Sequence, residues 1–165
     1  MVIWIIGLSG SGKTHLAKKI FKDLEKKKKK CFLVDGDIVR KYISYNLGYS
    51  IKDRKINSKI ITDLCKFLEI NGYIVICSVL SIFPTHQKNN RKKFNKYVQI
   101  YLESDLNKLI KINSKKVYSQ KSVVGKDIKF PTPYKSHFTL NRSNSKKYKY
   151  YYSKILDKIC RIKND

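Results

Sequence analysis

The sequence predicts an α/β fold in which a parallel β-sheet is flanked by helices. Short aliphatic runs alternate along the chain with stretches whose apolar residues have helical spacing. Continuous aliphatic runs are typical of strands that are buried on both faces, and the intervening helices supply the connections that parallel strands need. A glycine-rich loop lies between the first run and the first helix. Together these observations indicate one α/β domain that spans residues 1–165.

The glycine-rich loop covers residues 7–14 and matches the phosphate-binding pattern G-x-x-x-x-G-K-[ST]. It follows the apolar run 2–6 and precedes a predicted helix, which is the context that this pattern requires. Lys13 would reach the outer phosphates of ATP, and the Thr14 hydroxyl would bind Mg²⁺. The sequence therefore predicts a P-loop NTPase fold in which ATP is bound by Gly7, Leu8, Ser9, Gly10, Ser11, Gly12, Lys13 and Thr14.

Three further aliphatic runs predict strands at 31–34, 73–77 and 97–102. The helices predicted between these strands are a polar stretch that reaches Tyr45, an amphipathic helix that begins near Ile56, and a basic helix at 86–96. The four strands and their helical connections fit a parallel sheet with right-handed crossovers.

The segment 113–140 mixes Lys, Ser, Gly, Pro and aromatic residues without a steady period. A loop of this length in a compact domain is usually functional, so we predict that it forms a lid over the nucleotide site. A basic tail follows from Asn141, and residues 154–162 have the spacing of a closing amphipathic helix. The predicted domain therefore ends in a basic tail and helix over 141–165.

Basic residues exceed acidic ones by 37 to 12, which gives a formal net charge of +25. A surplus of this kind can indicate nucleic-acid binding. Here the lysines are scattered, far outnumber the arginines and accompany no recognition motif. We therefore interpret most of the charge as a solvated surface, with a share that attracts anionic small-molecule substrates.

The four cysteines are Cys31, Cys65, Cys77 and Cys160, and they form neither a C-x-x-C pair nor a metal-ligand spacing. Three of them lie in apolar stretches, so we predict that they are reduced core residues in a cytoplasmic protein. No apolar run approaches the ~20 residues that a membrane helix needs. The N-terminal residues also lack the basic and apolar regions of a signal peptide.

Two carboxylates, Asp35 and Asp37, directly follow the second predicted strand. The carboxyl ends of strands form the ligand-binding edge of an open α/β sheet. We therefore expect both side chains to lie near the phosphate-binding loop.

From residue 3 to about residue 140 the chain resembles the adenylylsulfate kinases. The resemblance rests on the loop GLSGSGKT, VDGDIVR at 34–40, LGYS-x-x-DR at 47–54, the Ser81 segment, and Lys115 with Tyr118 in the lid. It implies ATP-dependent phosphorylation of the ribose 3′-hydroxyl of adenosine 5′-phosphosulfate (APS), a step of sulfate activation. It leaves both a monomer and a homodimer open.

The resemblance also implies roles for individual residues. Asp37 would orient or deprotonate the acceptor hydroxyl, with Lys13 and Ser81 as further catalytic positions; Ser81 matches a serine described as a phosphoserine intermediate, but direct transfer explains the chemistry. Arg40 and Arg54 would bind the phosphosulfate, and Tyr49 would stack on the acceptor base. The full set of implied substrate-binding residues is Asp35, Arg40, Tyr49, Arg54, Asn57 and Lys115.

The chain departs from the family pattern at three places around the acceptor. Pro84 replaces an arginine after the third strand, the lid start at 112–118 lacks an Arg, an Asp and a Gly, and Val123 replaces the Phe of Phe-Thr-Gly. Val123 would leave the acceptor base with one aromatic face, that of Tyr49. Two alternatives to APS phosphorylation therefore stay open: the same reaction on another nucleotide, such as cytidine diphosphoramidate, and a basic nucleic-acid-binding P-loop protein.

Overall fold

The computed structural model describes residues 1–112, 116–141 and 145–161. Five parallel strands form one sheet in the order β2-β3-β1-β4-β5. The strands are β1 (Val2–Ile6), β2 (Cys31–Asp35), β3 (Ile74–Val79), β4 (Tyr97–Glu103) and β5 (Phe138–Asn141). The helices are α1 (Lys13–Lys26), α2 (Gly36–Tyr42), α3 (Ile51–Ile70), α4 (Pro84–Lys93), α5 (Leu106–Ile112) and α6 (Ser145–Arg161), with a 3₁₀ turn at Val117–Ser119. The predicted fold class is confirmed.

Both faces of the sheet are covered, as the aliphatic strands require. In β1, Ile3 and Ile5 face a cluster formed with α1 and α6, in which Ile155 is fully buried. Trp4 on the same strand faces the opposite cluster, to which α3 contributes Cys65. Because successive side chains of a strand point to opposite faces, β1 is the shared centre of both cores.

The strand β5 corrects the sequence prediction, which had four strands and a lid that extended to residue 140. Phe138–Asn141 pairs in parallel with β4, and Leu140 is fully buried. Four residues carry too little periodicity to show as a strand, so the neighbouring edge of β4 determines their conformation. The predicted lid segment therefore ends before Phe138.

Several helix boundaries also differ from their predictions. α2 ends at Tyr42 and not at Tyr45. α3 begins at Ile51, because the Ser50 hydroxyl accepts a hydrogen bond from the Asp53 amide at 3.1 Å and so caps the helix earlier than Ile56. α4 begins at Pro84, a residue suited to a first helical position, and it ends at Lys93. α6 begins at Ser145 and not at residue 154.

The cysteines are free thiols, and two of them are core residues. Cys65 and Cys77 are fully buried, whereas Cys31 and Cys160 are only half-buried. Across the described ranges, no helix is both long and apolar enough to cross a membrane.

Candidate active site

The carboxyl ends of β1, β2 and β3 border an open cleft of about 810 Å³. Most of the predicted site residues meet there, although they come from four separate segments of the chain. Those that line the cleft are Ser9, Lys13, Thr14, Asp35, Asp37, Arg40, Tyr49, Arg54, Asn57 and Ser81. Lys115 lies outside the described residues.

The loop after β1 has the backbone of an anion site. Gly10 and Gly12 adopt φ values of 77° and 93°, a left-handed region that favours glycine. At Gly7 a Cβ atom would lie 2.7 Å from the Leu102 carbonyl oxygen, so this position also requires glycine. α1 begins at Lys13, directly after the loop, and its N-terminal amides add a positive dipole. Lys13 Nζ donates to the Leu8 carbonyl at 2.7 Å.

Asp35 is the most constrained carboxylate of the cleft. Its Oδ2 accepts hydrogen bonds from Thr14 Oγ1 at 2.7 Å and Ser78 Oγ at 2.9 Å, and its Oδ1 accepts one from the Asp37 amide at 2.9 Å. Burial alone would raise the pKa of Asp35, but these hydrogen bonds outweigh it and lower the pKa below its ordinary value. The carboxylate is therefore ionised and fixed beside the Thr14 hydroxyl.

Asp37 occupies the first turn of α2 and is exposed to the cleft. The two acids have different places, since Asp35 caps α2 and Asp37 lines the cleft from its first turn. A carboxylate in that position can orient or deprotonate a hydroxyl group that enters the cleft.

Two arginines and an aromatic ring form a further, clustered part of the cleft lining. The guanidinium carbons of Arg40 and Arg54 lie 4.9 Å and 5.4 Å from the centre of the Tyr49 ring. Arg54 Nε donates to the Tyr49 carbonyl at 2.9 Å, and Arg40 donates to the Gly48 carbonyl. Burial, together with the neighbouring charge of Arg40, lowers the pKa of Arg54. Two guanidinium groups this close favour an anionic ligand between them.

Asn57 offers a buried acceptor in the same cleft. Its side chain is 6% exposed, and its Oδ1 has no hydrogen-bond partner among the residues that the structure describes. A buried carbonyl oxygen without a partner is costly, so a ligand that donates a hydrogen bond here would be favoured.

Ser81 follows β3 and adopts an unusual backbone conformation, with a φ of 48°. Its Oγ accepts from Trp4 Nε1 and from Gln87 Nε2, both at 3.4 Å, and its carbonyl accepts from Gln87 Nε2 at 2.9 Å. Neither Trp4 nor Gln87 was predicted from the sequence as a site residue. The only tryptophan of the chain within a buried strand was a usable signal, but a glutamine inside a basic stretch gives none.

The segment between α5 and β5 reaches both sides of the cleft. Tyr118 Oη donates to the Ser9 carbonyl at 2.9 Å, and Arg54 Nη2 donates to the Ser122 carbonyl at 3.0 Å. Val123 is 4% exposed and does not line the cleft, so it does not stand opposite the Tyr49 ring as predicted. The aromatic side chain beyond β3 that does line the cleft is Phe83, which packs on His86.

Comparisons with known proteins relate the chain to one family of kinases. The sequence model of the family described as adenylylsulphate kinase matches residues 1–140. The chain is 35% identical over 138 residues to a probable adenylyl-sulfate kinase of Archaeoglobus fulgidus, with 80% of this chain and 89% of the relative covered. It is 33% identical over 138 residues to the cytidine diphosphoramidate kinase of Campylobacter jejuni, with coverage of 80% and 81%.

Solved structures have the same fold. The APS kinase CysC of Mycobacterium tuberculosis, solved in complex with AMPPNP and APS, superposes with a TM-score of 0.85 at 22% identity, over 94% of this chain and 95% of that one. The crystal structure of APE1195 superposes with a TM-score of 0.84 at 25% identity, over 96% of both chains.

Proposed function

The chain belongs to the adenylylsulphate kinase family of nucleotide kinases, and on this premise we propose that it transfers the γ-phosphate of ATP to the ribose 3′-hydroxyl of APS. The product is 3′-phosphoadenosine 5′-phosphosulfate. The observation that carries the proposal is that one cleft joins a phosphate-binding loop to an arginine-lined wall, with Asp37 between them.

On the donor side, the loop amides and Lys13 hold the β- and γ-phosphates of ATP. Thr14 Oγ1 and the Asp35 carboxylate lie 2.7 Å apart, and such a pair of hard oxygen donors suits Mg²⁺. When bound, Mg²⁺ would neutralise charge on the phosphates. Lys13 would move its ammonium from the Leu8 carbonyl to the phosphate oxygens.

On the acceptor side, Arg40 and Arg54 bind the phosphosulfate oxyanions, and Tyr49 stacks on the base. Asn57 accepts a hydrogen bond through its Oδ1, and Asp37 takes the proton of the attacking hydroxyl as the phosphoryl group is transferred in line. Lys115 remains a substrate-binding residue by family resemblance alone.

The segment between α5 and β5 acts as the lid of the single domain in this proposal. Its contacts to Ser9 and Arg54 support the assignment, because they connect it to the donor and acceptor sides at once. Closure of the lid would exclude water from the transfer.

Cytidine diphosphoramidate is the second candidate acceptor. The specific observation in its favour is that residue 123 supplies no second stacking face for Tyr49, since Val123 replaces the aromatic residue of the family pattern and lies outside the cleft. A smaller base needs less stacking area than adenine, so this reading fits a pyrimidine nucleotide.

A panel of acceptors tests the proposal. ATP consumption is measured with APS, cytidine diphosphoramidate, AMP and CDP, with Lys13→Ala as the inactive control and with each product identified by mass. We expect 3′-phosphorylation of APS with the highest kcat/KM. Preference for cytidine diphosphoramidate would transfer the proposal to the second candidate, and no phosphorylation of either would overturn both.

A further inference from the structure

Gln87 is a fully buried polar residue in the first turns of α4, behind the wall of the cleft. Its side-chain amide is used at both ends. Nε2 donates to the Ser81 carbonyl at 2.9 Å, and Oε1 accepts from the Tyr134 amide at 2.6 Å. Gln87 therefore connects the turn after β3 to Tyr134, near the end of the lid segment.

The orientation of this amide is fixed by its partners. A carbonyl oxygen can only accept a hydrogen bond and a backbone N–H can only donate one, so Nε2 must face Ser81 and Oε1 must face Tyr134. Ser81 needs such support, because a φ of 48° is unfavourable for a residue with a Cβ atom.

The same contacts set the direction of the Ser81 hydroxyl. Trp4 Nε1 and Gln87 Nε2 both lie 3.4 Å from Oγ, and both groups are donors. The hydroxyl proton therefore points at neither of them and can be donated toward the cleft that Ser81 lines.

We propose that Gln87 is a positioning residue for the acceptor: it holds Ser81 in its left-handed conformation, so that the Ser81 hydroxyl donates to an oxygen of the bound nucleotide. This role rests on the proposed nucleotide 3′-kinase function. It makes Ser81 a hydrogen-bond donor that keeps its oxygen, and not a residue that is phosphorylated during turnover.

The substitution Gln87→Glu affects the two hydrogen bonds of the Gln87 amide differently, and so distinguishes the bond to Ser81 from the bond to Tyr134. A carboxylate still accepts from Tyr134, but its second oxygen would face the Ser81 carbonyl oxygen without a proton between them. We expect acceptor kcat/KM to fall about 10- to 100-fold at pH 8, while the KM for ATP stays within about twofold. Protonation of the buried carboxyl restores the donor, so activity relative to the wild type should recover as the pH falls toward 6.

Nearby titratable groups do not produce such a recovery. Burial, with the charges of Arg91 and Lys158, lowers the pKa of His137 to about 4. Burial raises the pKa of Tyr97 far above neutrality. Burial and Lys55 lower the pKa of His86, whose Nδ1 contacts Ser58 at 3.0 Å and not Gln87.

Asn90→Asp is the matched control. Asn90 is also buried on α4, and its Oδ1 accepts from Thr62 Oγ1 at 3.4 Å, but among the described residues it makes no hydrogen bond to Ser81 or Gln87. We expect a lower Tm from Asn90→Asp, with acceptor and ATP constants retained and no recovery of activity at low pH.

A second measurement does not depend on activity. Trp4 is the only tryptophan, so the indole ¹⁵N–¹H signal of the protein reports its contact with Ser81 directly. We expect this signal to shift in Gln87→Glu and in Gln87→Met, and to stay in place in Asn90→Asp. An unmoved signal with unchanged acceptor constants in both Gln87 variants overturns the inference, as do equal effects from Asn90→Asp. A wild-type protein that phosphorylates no acceptor refutes the proposed function, while the indole signal still decides the role of Gln87.

Discussion

The donor and acceptor halves of the cleft are built in different ways. In the donor half, backbone amides and short side chains fix one another, and Asp35 accepts from three donors within 2.9 Å. In the acceptor half, two long arginine side chains lie against Tyr49, whose side chain is 56% exposed. The donor half is therefore preorganised for a phosphate chain, whereas the side chains of the acceptor half can move to fit different anionic nucleotides.

The largest expected effect on turnover comes from a substitution in the donor half. Lys13→Ala removes the only side-chain cation of the glycine-rich loop, and we expect turnover to fall at least about 10³-fold because charge on the transferred phosphoryl group is no longer stabilised. Lys18→Ala, an exposed lysine on the same helix, serves as the control and should retain turnover. Comparable activity in a folded Lys13→Ala protein would refute the ATP-site assignment; Tm measurements establish that both variants fold.

The next largest effect on turnover is expected at Asp37, where the donor and acceptor halves meet. Asp37→Asn keeps the shape of the side chain and removes its charge, so turnover should fall roughly 10²-fold, the scale of a positioned acid or base. ATP affinity, measured by titration, should change little. Asp63→Asn, an exposed carboxylate that pairs with Lys93, is the control. If Asp37→Asn turned over as fast as the wild type, Asp37 would have only a structural role.

A smaller effect, on kcat/KM for the acceptor, is expected from a substitution near the acceptor half. Losing one stacking face costs about 1–3 kcal/mol. Val123 is buried outside the cleft in this structure, so Val123→Phe tests whether closure of the lid brings residue 123 over the base; kcat/KM for APS should then rise by about fivefold or more. It should not improve use of cytidine diphosphoramidate. Val124→Phe is the matched control, because Val124 is buried to the same degree in a cluster with Leu8; both variants should lose stability, but Val124→Phe should leave the use of APS unchanged. Unchanged APS use would show that position 123 does not contact the base.

The smallest expected effect is on stability. The pKa of Asp35 is lower in the fold than in the unfolded chain, so its contribution is fully present above its unfolded pKa of about 3.9 and is lost as the pH falls through the folded pKa. Asp35→Asn should therefore lower Tm by a few degrees at pH 7, with about 1–3 kcal/mol from the altered hydrogen bonds. When Tm is measured as a function of pH, the values for the wild type and for Asp35→Asn should converge below about pH 4. A constant gap between the curves down to pH 2 would contradict the ionised Asp35 network.

The sequence predicted the donor half better than the rest, and the reason is physical. Its residues follow one another within a loop or directly after a strand, so spacing alone locates them. The role of Gln87 depends on hydrogen bonds to Ser81 and Tyr134, which lie 6 and 47 positions away, and no local sequence pattern encodes such contacts. β5 likewise forms because its backbone pairs with the edge of β4. The position of Val123 is set by hydrogen bonds within its own loop, where the Asp127 carboxylate accepts from the Val123 amide.

The strand order has a kinetic consequence. β1 is the middle strand, and Val2 pairs with Val75 on one side and with Tyr97 on the other. β1 therefore pairs with strands that lie much later in the sequence, and contacts between such distant segments form slowly during folding. During that interval the unpaired run is prone to associate with other chains. Mutual repulsion from the +25 net charge opposes this, so we expect refolding yields to decline as added salt screens the repulsion.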